Sequence, residues 1–287
     1  MSAVFVTGAT GIVGSSVVDA LRRAGTHVIA AVRDPADAAT LPPGVAARPF
    51  QFGASADELD AVLEGADRAF LLRPPQIEDV QTYLFPFVDA CNRNGVRQVV
   101  FLSLQGVQLN RRTPHHAVEA YLAQTKTPST SLRPNFFMQN LIRPFGDAIR
   151  DHDEIRVPAG RSFTALIDPR DIGRVAATVF THPGHIGKAY TLSGEKALTY
   201  SRVAKIMSDV LGRPISYTRP RESEYLAQLA AEGSPEDYIA VQRMIFRIVR
   251  MNVSAFPNRT VRKLTGEPAT SLAEFVDDFR SAWMPRP

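Results

Sequence analysis

The segment Thr7-Gly8-Ala9-Thr10-Gly11-Ile12-Val13-Gly14 limits the possible folds of this chain more than any other segment. It directly follows a short apolar run at 3–7 and opens a helical pattern at 12–24. Glycines at this spacing permit a tight turn, close approach of the backbone to a pyrophosphate, and packing of the helix on the strand. A helix N-terminus also offers free N–H groups and a partial positive charge. The segment therefore predicts a strand–loop–helix unit that binds a dinucleotide.

Short apolar runs alternate with longer amphipathic runs through the first half of the chain. The patterns predict strands at 3–7, 27–32, 45–52, 68–72, 96–103 and 129–134, and helices at 12–24, 57–65, 80–93 and 115–124. Strands separated by helices form β-α-β units and a parallel sheet. Nearly continuous apolar strands are typical of a sheet covered on both faces. We therefore expect an α/β fold with a Rossmann-type doubly wound parallel sheet.

The alternation changes after residue 134. Short strands are predicted within 154–167, at 188–194 and at 214–219, and the last part of the chain is mostly helical. No internal repeat or low-complexity linker separates these segments. We predict a dinucleotide-binding core over 1–134 and a smaller, mainly helical substrate-side region over 135–287. This second region partly returns to the core sheet, within a single structural unit.

The bulk composition argues against several classes of function. The net charge is only +4 and the arginines are scattered, which argues against a nucleic-acid-binding surface. No apolar run is as long as a membrane span, and the first residues lack the pattern of a secretory signal. The six histidines are dispersed, so no metal site is expected. We expect a cytoplasmic monomer or homodimer that acts on a small molecule.

The end of the second predicted strand bears on the choice of dinucleotide. An acidic residue at this point binds the ribose 2′-hydroxyl of NAD, whereas an arginine accommodates the 2′-phosphate of NADP. Both Arg33 and Asp34 are present. Arg33 directly follows the apolar run, while Asp34-Pro35 has the pattern of a cap on a short helix. We expect NADP(H), with NAD(H) as the alternative; a purely exposed Arg33 is the competing interpretation.

Several segments, taken in order, resemble the NmrA-like group of atypical short-chain dehydrogenases over nearly the whole chain. The resemblance is carried by VFVTGATGIVG, HVIAAVRDP, RAFLLRPP, GVRQVVFLS, SLRPNFFMQNL, FTALIDPRDIGRVAATVF and KAYTLSGEKALTYSRVAKIMSDVLGRPI. That family includes NAD(P)H-dependent reductases of quinones, azo and triphenylmethane dyes, and iminium or enone compounds. It also includes nucleotide-binding regulators.

The resemblance implies a cofactor site at the ends of the strands. The residues around the pyrophosphate would be Gly8, Thr10, Gly11, Ile12, Val13 and Gly14, and Arg33 would hold the ribose phosphate. Gln51 or Phe52 would lie near the adenine, where family members often have an acidic residue. The nicotinamide and its ribose would be lined by Leu72, Arg73, Pro74, Ser103, Leu104, Pro134, Asn135 and Phe136. The substrate would contact Gln105, Phe137 and Asn140.

The sequence lacks the Tyr-x-x-x-Lys pair that supplies acid–base chemistry in typical short-chain dehydrogenases. Only five of the 33 basic residues are lysines, and none lies four residues after a tyrosine. His115 and Glu119 occupy the matching positions. In one interpretation His115 donates a proton while Glu119 orients its ring; in the other it only begins a helix. Ser103, at a strand end, is a third candidate catalytic residue.

The missing pair restricts the chemistry. Reduction of a simple ketone places full charge on oxygen and gains from a positioned acid, whereas an electron-poor acceptor needs mainly orientation. We therefore expect an NADPH-dependent oxidoreductase that transfers hydride to a small, apolar quinone, enone, iminium or dye-like acceptor. The alternatives are a non-catalytic NADP(H)-sensing regulator and a sugar-nucleotide epimerase or dehydratase. The missing tyrosine and lysine argue against the epimerase or dehydratase.

Overall fold

Strands and helices alternate through the first half of the chain, and helices predominate after it. The computed structural model describes residues 3–284. The strands are β1 (Ala3–Val6), β2 (His27–Val32), β3 (Ala46–Pro49), β4 (Arg68–Leu72), β5 (Gln98–Leu102), β6 (Ser129–Pro134), β7 (Glu154–Ile155), β8 (Phe163–Thr164), β9 (Ala189–Leu192), β10 (Leu198–Thr199) and β11 (Ser216–Tyr217). The α-helices are α1 (Ile12–Arg23), α2 (Ala56–Val62), α3 (Val80–Tyr83), α4 (Phe85–Arg93), α5 (Pro114–Gln124), α6 (Gly146–His152), α7 (Pro169–Thr181), α8 (Tyr200–Leu211), α9 (Glu222–Ala231), α10 (Glu236–Arg250), α11 (Thr260–Thr265) and α12 (Leu272–Asp278).

Most predicted elements of the first half are present, and β2, β4 and β6 have the predicted bounds. The prediction of one continuous helix over 80–93 is wrong, because this segment forms α3 and α4 with a break at Leu84. Pro86 lies in the first turn of α4 and has no backbone N–H to continue the hydrogen-bonding pattern of α3. The proline therefore begins a new helix.

The sheet confirms the predicted fold class. Seven of the described strands follow the order β3-β2-β1-β4-β5-β6-β9, and every neighbouring pair is parallel. The chain builds outward from β1 in one direction through β2 and β3, and in the other through β4, β5 and β6. The strand order thus reverses between β1 and β4. In open parallel sheets, ligands bind beyond the carboxyl ends of the strands at such a switch point.

Both faces of the sheet are covered by helices. Phe5, Leu71 and Phe101 lie on one face, in a buried cluster with apolar residues of α2, α4 and α5. The alternate residues Phe70 and Val100 are also fully buried, and α1 and α7 pack against each other and against strands of the sheet. Strands buried on both faces need apolar residues at successive positions. This explains the nearly continuous apolar runs in the sequence.

The described residues form two compact units. The first contains the chain up to Pro134 together with 169–192 and 260–267, so that α7, β9 and α11 join the sheet region. The second contains 135–168, 193–259 and the residues from Pro268 onward. Its own core includes the buried side chains of Met207, Phe246 and Trp283. No helix within 3–284 is both long enough and apolar enough to span a membrane.

Thr7 connects the end of β1 to the end of β4 through hydrogen bonds. Its backbone N and its Oγ1 each donate a hydrogen bond to the Phe70 carbonyl oxygen at 3.0 Å. The same Oγ1 accepts a hydrogen bond from the Leu72 backbone N at 2.8 Å. The Thr7 side chain is fully buried, so these bonds have no competition from water. Thr7 thereby fixes the position at which the next residue, Gly8, leaves the sheet.

We expect Thr7→Val to lower the free energy of unfolding by about 1–3 kcal/mol, because the substitution keeps the shape but leaves the Leu72 N–H buried without an acceptor. Urea denaturation of the unliganded protein measures this change. Thr10→Val, at an exposed position of the same loop, is the matched control and should change stability little. Equal stabilities of the two variants would show that the Thr7 bonds do not matter for folding.

Candidate functional site

The loop between β1 and α1 presents unpaired backbone donors at the start of a helix. Gly8 has a φ of 61°, in the left-handed region, and its carbonyl accepts a hydrogen bond from Gly11 N at 2.9 Å. Gly11 is the N-cap of α1 and offers no side-chain cap, and the first turn holds no acidic residue. Within the loop, Gly8, Thr10, Gly11 and Ile12 are exposed, while Val13 and Gly14 are buried. A helix N-terminus of this kind attracts anions.

Two of the loop glycines leave little room for a side chain. A Cβ atom on Gly14 would lie 2.0 Å from the Gly8 carbonyl oxygen, so only glycine lets α1 approach the loop this closely. A Cβ atom on Gly8 would lie 3.3 Å from the Leu72 side chain, at the switch point between β1 and β4. The loop therefore fits the pyrophosphate of a dinucleotide: it has exposed N–H groups, no carboxylate in the first turn and little side-chain bulk.

The two charged residues after β2 have different surroundings. The Asp34 carboxylate accepts a hydrogen bond from Ala36 N at 2.8 Å and caps a 3₁₀ helix, Pro35–Thr40. This confirms the capping pattern that the sequence indicated for Asp34. Arg33 is exposed, and its side chain makes no hydrogen bond or ion pair within 3–284. The guanidinium is therefore available to a phosphate group beyond the carboxyl end of β2.

The residues proposed near the adenine follow β3. Phe52 is half-buried and lies edge-on to Phe50, with ring centroids 4.9 Å apart, and 6.1 Å from the ring of Phe87. It thus belongs to the border of the aromatic core. Gln51 is exposed beside it. An adenine contact by either residue stays a prediction.

Three polar residues form a row at the carboxyl ends of β4, β5 and β6. The last residue of β4 pairs with the last residue of β5, which pairs in turn with Leu132 of β6. The residues that follow, Arg73, Ser103 and Arg133, therefore lie side by side and point to one face of the sheet. Ser103 N donates a hydrogen bond to the Leu132 carbonyl at 2.7 Å, which extends this register beyond β5. We call these three residues the strand-end row.

His115 lies in the first turn of α5, the helix that covers this face. Thr113 is the N-cap of α5, and its hydroxyl accepts a hydrogen bond from His116 N. The His115 ring is half-buried, with its centroid 6.1 Å from that of Phe101. Burial lowers the pKa of His115 to about 4, and the charge of Arg73 lowers it further against the opposing effect of Glu119. His115 is therefore neutral at pH 7 and can donate a hydrogen bond without carrying a charge.

Glu119 forms an ion pair with Arg133 of the strand-end row. Glu119 Oε1 accepts from Arg133 Nε at 3.0 Å, and Oε2 accepts from Nη2 at 2.5 Å. Burial raises the pKa of Glu119, but the hydrogen bond from Arg133, the Ser103 hydroxyl and the Arg133 charge outweigh that effect and lower the net pKa. The expected orientation of His115 by Glu119 is not observed, because both carboxylate oxygens bind the Arg133 guanidinium.

A cavity of about 280 Å³ opens beside this ion pair and is lined by Gln108, Arg111, His116, Glu119, Ala120 and Arg133. His116 is half-buried and lines this cavity. Arg133 was not among the predicted site residues, although a charged side chain in an apolar strand signals a buried partner. The sequence therefore contained the signal for Arg133 but not the identity of its partner.

The other predicted cofactor and substrate residues of the first unit lie at the same edge of the sheet. Leu72, Pro74, Leu104 and Gln105 are half-buried, and Pro134 is buried. Gln105 N donates a hydrogen bond to the Pro134 carbonyl at 2.9 Å. The loop after β5 is thus joined to the end of β6. No cluster of three or more metal-ligating side chains occurs in the described part of the chain.

The remaining predicted residues belong to the second unit. Asn135 Nδ2 donates a hydrogen bond to the Ser254 carbonyl at 2.9 Å, and its Oδ1 accepts from Phe136 N at 2.8 Å. The Asn135 side chain is therefore committed to backbone groups. Phe137 and Asn140 are half-buried, the latter in a 3₁₀ helix, Met138–Leu141. Their roles toward a cofactor or substrate stay predictions.

The model of the NmrA-like family matches residues 1–275 of the chain. The chain belongs to the NmrA-like family. As a member of this family, it is 31% identical to the NAD(P)H azoreductase of Xenophilus azovorans, over 98% of this chain and 99% of that protein. It is also 31% identical, with the same coverage, to a (4-alkanoyl-5-oxo-2,5-dihydrofuran-3-yl)methyl phosphate reductase of Streptomyces griseus.

Solved structures of other proteins have the same fold. The NADPH-dependent quinone oxidoreductase of Escherichia coli, solved in complex with NADPH, superposes with a TM-score of 0.87 at 25% identity, over 96% of this chain and 99% of that one. The resemblance inferred from the sequence segments is thereby confirmed at the level of the family.

The buried neutral histidine predicts a pH dependence of stability. In the unfolded chain His115 takes up a proton near pH 6.5, whereas in the folded protein it does so near pH 4. Between these values the unfolded state binds more protons, so stability falls as the pH is lowered. We expect the wild type to lose up to about 3 kcal/mol more than His115→Gln between pH 7 and pH 4.

Urea denaturation at both pH values measures this difference. His152→Gln, at an exposed histidine of α6, is the control and should retain the wild-type dependence. A His115→Gln protein with the same pH dependence as the wild type would contradict the neutral, buried state of His115.

Proposed function

We propose that this chain is an NADPH-dependent reductase of a small, electron-poor and largely apolar acceptor such as a quinone, enone, iminium ion or dye. The observation that carries the proposal is the geometry of one sheet edge. The open loop Gly8–Gly14 lies at the switch point, and the strand-end row with neutral His115 lies at the ends of the adjacent strands. A dinucleotide bound at this edge would extend toward polar groups suited to hydrogen bonding rather than to proton relay.

The relatives support the class of reaction. Those named above are an NAD(P)H azoreductase, a reductase of a substituted dihydrofuranone and an NADPH-dependent quinone oxidoreductase. The expectation of an NAD(P)H-dependent oxidoreductase agrees with all three names. The specific acceptor, the cytoplasmic location and the choice between monomer and homodimer stay predictions.

Each part of the edge has a role in this proposal. The N-terminus of α1 binds the pyrophosphate, and Arg33 binds the 2′-phosphate. The bound nicotinamide supplies the hydride. Ser103 and neutral His115 donate hydrogen bonds that orient a polar atom of the acceptor, while apolar neighbours exclude water. Because the acceptor is already electron-poor, this orientation replaces the acid that a Tyr-Lys pair supplies to simple ketones.

The direct test is NADPH oxidation against a panel of quinones, enones, cyclic imines and azo or triphenylmethane dyes. Turnover of at least one class, with simple ketones reduced much more slowly, is expected. Tight NADP binding without turnover on the whole panel would instead favour a nucleotide-sensing regulator. Conversion of a sugar nucleotide without net consumption of NADPH would favour an epimerase.

We expect Arg33→Ala to raise the Kd for NADPH by about 10- to 100-fold, because a charge-assisted phosphate contact contributes about 1.5–3 kcal/mol. The Kd for NADH should change little, since NADH lacks the 2′-phosphate. Titration of nicotinamide fluorescence measures both constants. Arg23→Ala, at the far end of α1, is the matched control. An equal rise in the Kd for NADPH and for NADH would show that Arg33 does not bind the 2′-phosphate.

The role of His115 is tested by two substitutions. If the neutral ring donates a hydrogen bond to the acceptor, Gln can partly replace it and Ala cannot. We therefore expect kcat to fall about tenfold or more in His115→Ala and less in His115→Gln, in line with the contribution of positioned donors. Steady-state kinetics with the best acceptor of the panel gives both values. Wild-type kcat values in both variants would show that His115 has only a structural role in α5.

A further inference from the structure

We propose that Arg73 makes the site selective for neutral conjugated carbonyl acceptors, quinones and enones, over cationic acceptors such as iminium ions and triphenylmethane dyes. The inference rests on the proposed reductase function and narrows its class of acceptor. It arises from the arrangement of charge in the strand-end row, where Arg73, which directly follows β4, makes no ion pair within residues 3–284.

The Arg73 guanidinium is held in place through one of its nitrogens. Nη1 donates hydrogen bonds to the carbonyl oxygens of Pro74, Pro75 and Ile77, at 3.2, 3.1 and 2.6 Å. Nε is buried and has no hydrogen-bond partner in the described residues. The loop after β4 thus fixes the cation and leaves one buried donor unused. Buried polar groups in folded proteins nearly always have a partner, so an unused donor here points to a bound ligand.

A second buried polar group lies at the end of the neighbouring strand. Ser103 directly follows β5, adjacent to Arg73 in the register of the sheet. Its side chain is only 4% exposed, and its hydroxyl helps to lower the pKa of the Glu119 carboxyl. The Arg73 Nε–H therefore remains as the buried donor for an acceptor atom that carries negative charge, because charge-assisted hydrogen bonds are the strong ones.

Among Arg73, Arg133, Glu119 and His115, one positive charge is left without an ion-pair partner. Glu119 neutralises Arg133 in a bidentate ion pair, and the His115 ring is neutral. Arg73 makes no ion pair within the described part of the chain; the exposed Glu78 is the carboxylate whose charge acts on it. A half-buried site with one uncompensated positive charge favours an anion and disfavours a cation.

The two acceptor classes differ in the charge that they develop. In an enone, hydride forms a C–H bond at the β-carbon and the C=C electron pair shifts to give an enolate oxygen, so that the enone is reduced and the nicotinamide oxidised. The enolate then takes a proton from water, and a quinone likewise passes through a hydroquinone anion. In a cationic dye or iminium ion, the same hydride cancels a positive charge and no oxygen anion forms. Arg73 therefore stabilises the transition state of the first class only.

The test compares acceptors within each variant. The ratio of kcat/KM for menadione or cyclohexenone to kcat/KM for a triphenylmethane dye cation is measured with NADPH in the wild type, Arg73→Gln, Arg73→Lys and Arg97→Gln. Arg97 is an exposed, ion-paired arginine before β5 and serves as the control. Loss of fold or of cofactor affinity lowers both rates alike and cancels in the ratio.

We expect the ratio to fall about 10- to 100-fold in Arg73→Gln, through kcat rather than KM, since the charge develops in the transition state. Arg73→Lys should restore most of it, and Arg97→Gln should match the wild type. An unchanged ratio in Arg73→Gln would overturn the inference while leaving the reductase function intact. A wild type that oxidises NADPH with none of these acceptors would instead count against the proposed function.

A binding measurement tests the same charge without turnover. Nitrophenol, whose phenolate absorbs visible light, stands in for the anionic product and is titrated with the wild type and the variants in the presence of NADP⁺. We expect the bound ligand to ionise at lower pH in the wild type than in solution, and this shift to be lost in Arg73→Gln and kept in Arg73→Lys. The same ionisation in the wild type and Arg73→Gln would exclude an anion-stabilising role for Arg73.

Discussion

Parallel pairing in register is the constraint on which the rest of this structure depends. Because β1, β4, β5 and β6 run in one direction, their carboxyl ends share one edge of the sheet, and residues far apart in sequence become neighbours. Thr7 fixes the first junction through bonds to the end of β4. The register of the strands then sets the positions of the glycine loop, Arg73 and Ser103 at this edge. A shift of one residue would turn each side chain to the opposite face.

The charges at this edge of the sheet differ from those of the Tyr-Lys pair in typical short-chain dehydrogenases. In typical short-chain dehydrogenases, a Tyr-Lys pair at the positions of His115 and Glu119 supplies a proton and a positive charge. Here α5 contributes a neutral histidine and a carboxylate that is neutralised by β6, and the uncompensated positive charge comes from the loop after β4. In the function proposed above, this arrangement would weaken acid–base chemistry and retain electrostatic stabilisation. This combination suits acceptors that need an oriented anion more than a proton.

The local sequence predicted much of the fold, because glycine spacing and apolar periodicity are local signals. The loop Gly8–Gly14, the helix cap at Asp34 and the bounds of β2 are as expected. The continuous helix over 80–93 was wrong because Pro86 removes a backbone donor inside a pattern that is otherwise periodic. The pairing of Glu119 with Arg133, fourteen residues later, was also missed, because helix spacing suggests only local partners such as His115.

The sequence by itself determined that this chain forms a doubly wound sheet with a glycine-rich loop after the first strand, since those features depend on the residue types at neighbouring positions. It also determined that no Tyr-Lys pair of the usual spacing exists. Only the tertiary structure decided which charges meet. Burial and the charge of Arg73 lower the pKa of His115, and the register of β4 and β5 places Arg73 beside Ser103. Electrostatic properties of a site depend on burial and on distances between strands, and neither is encoded in any single segment.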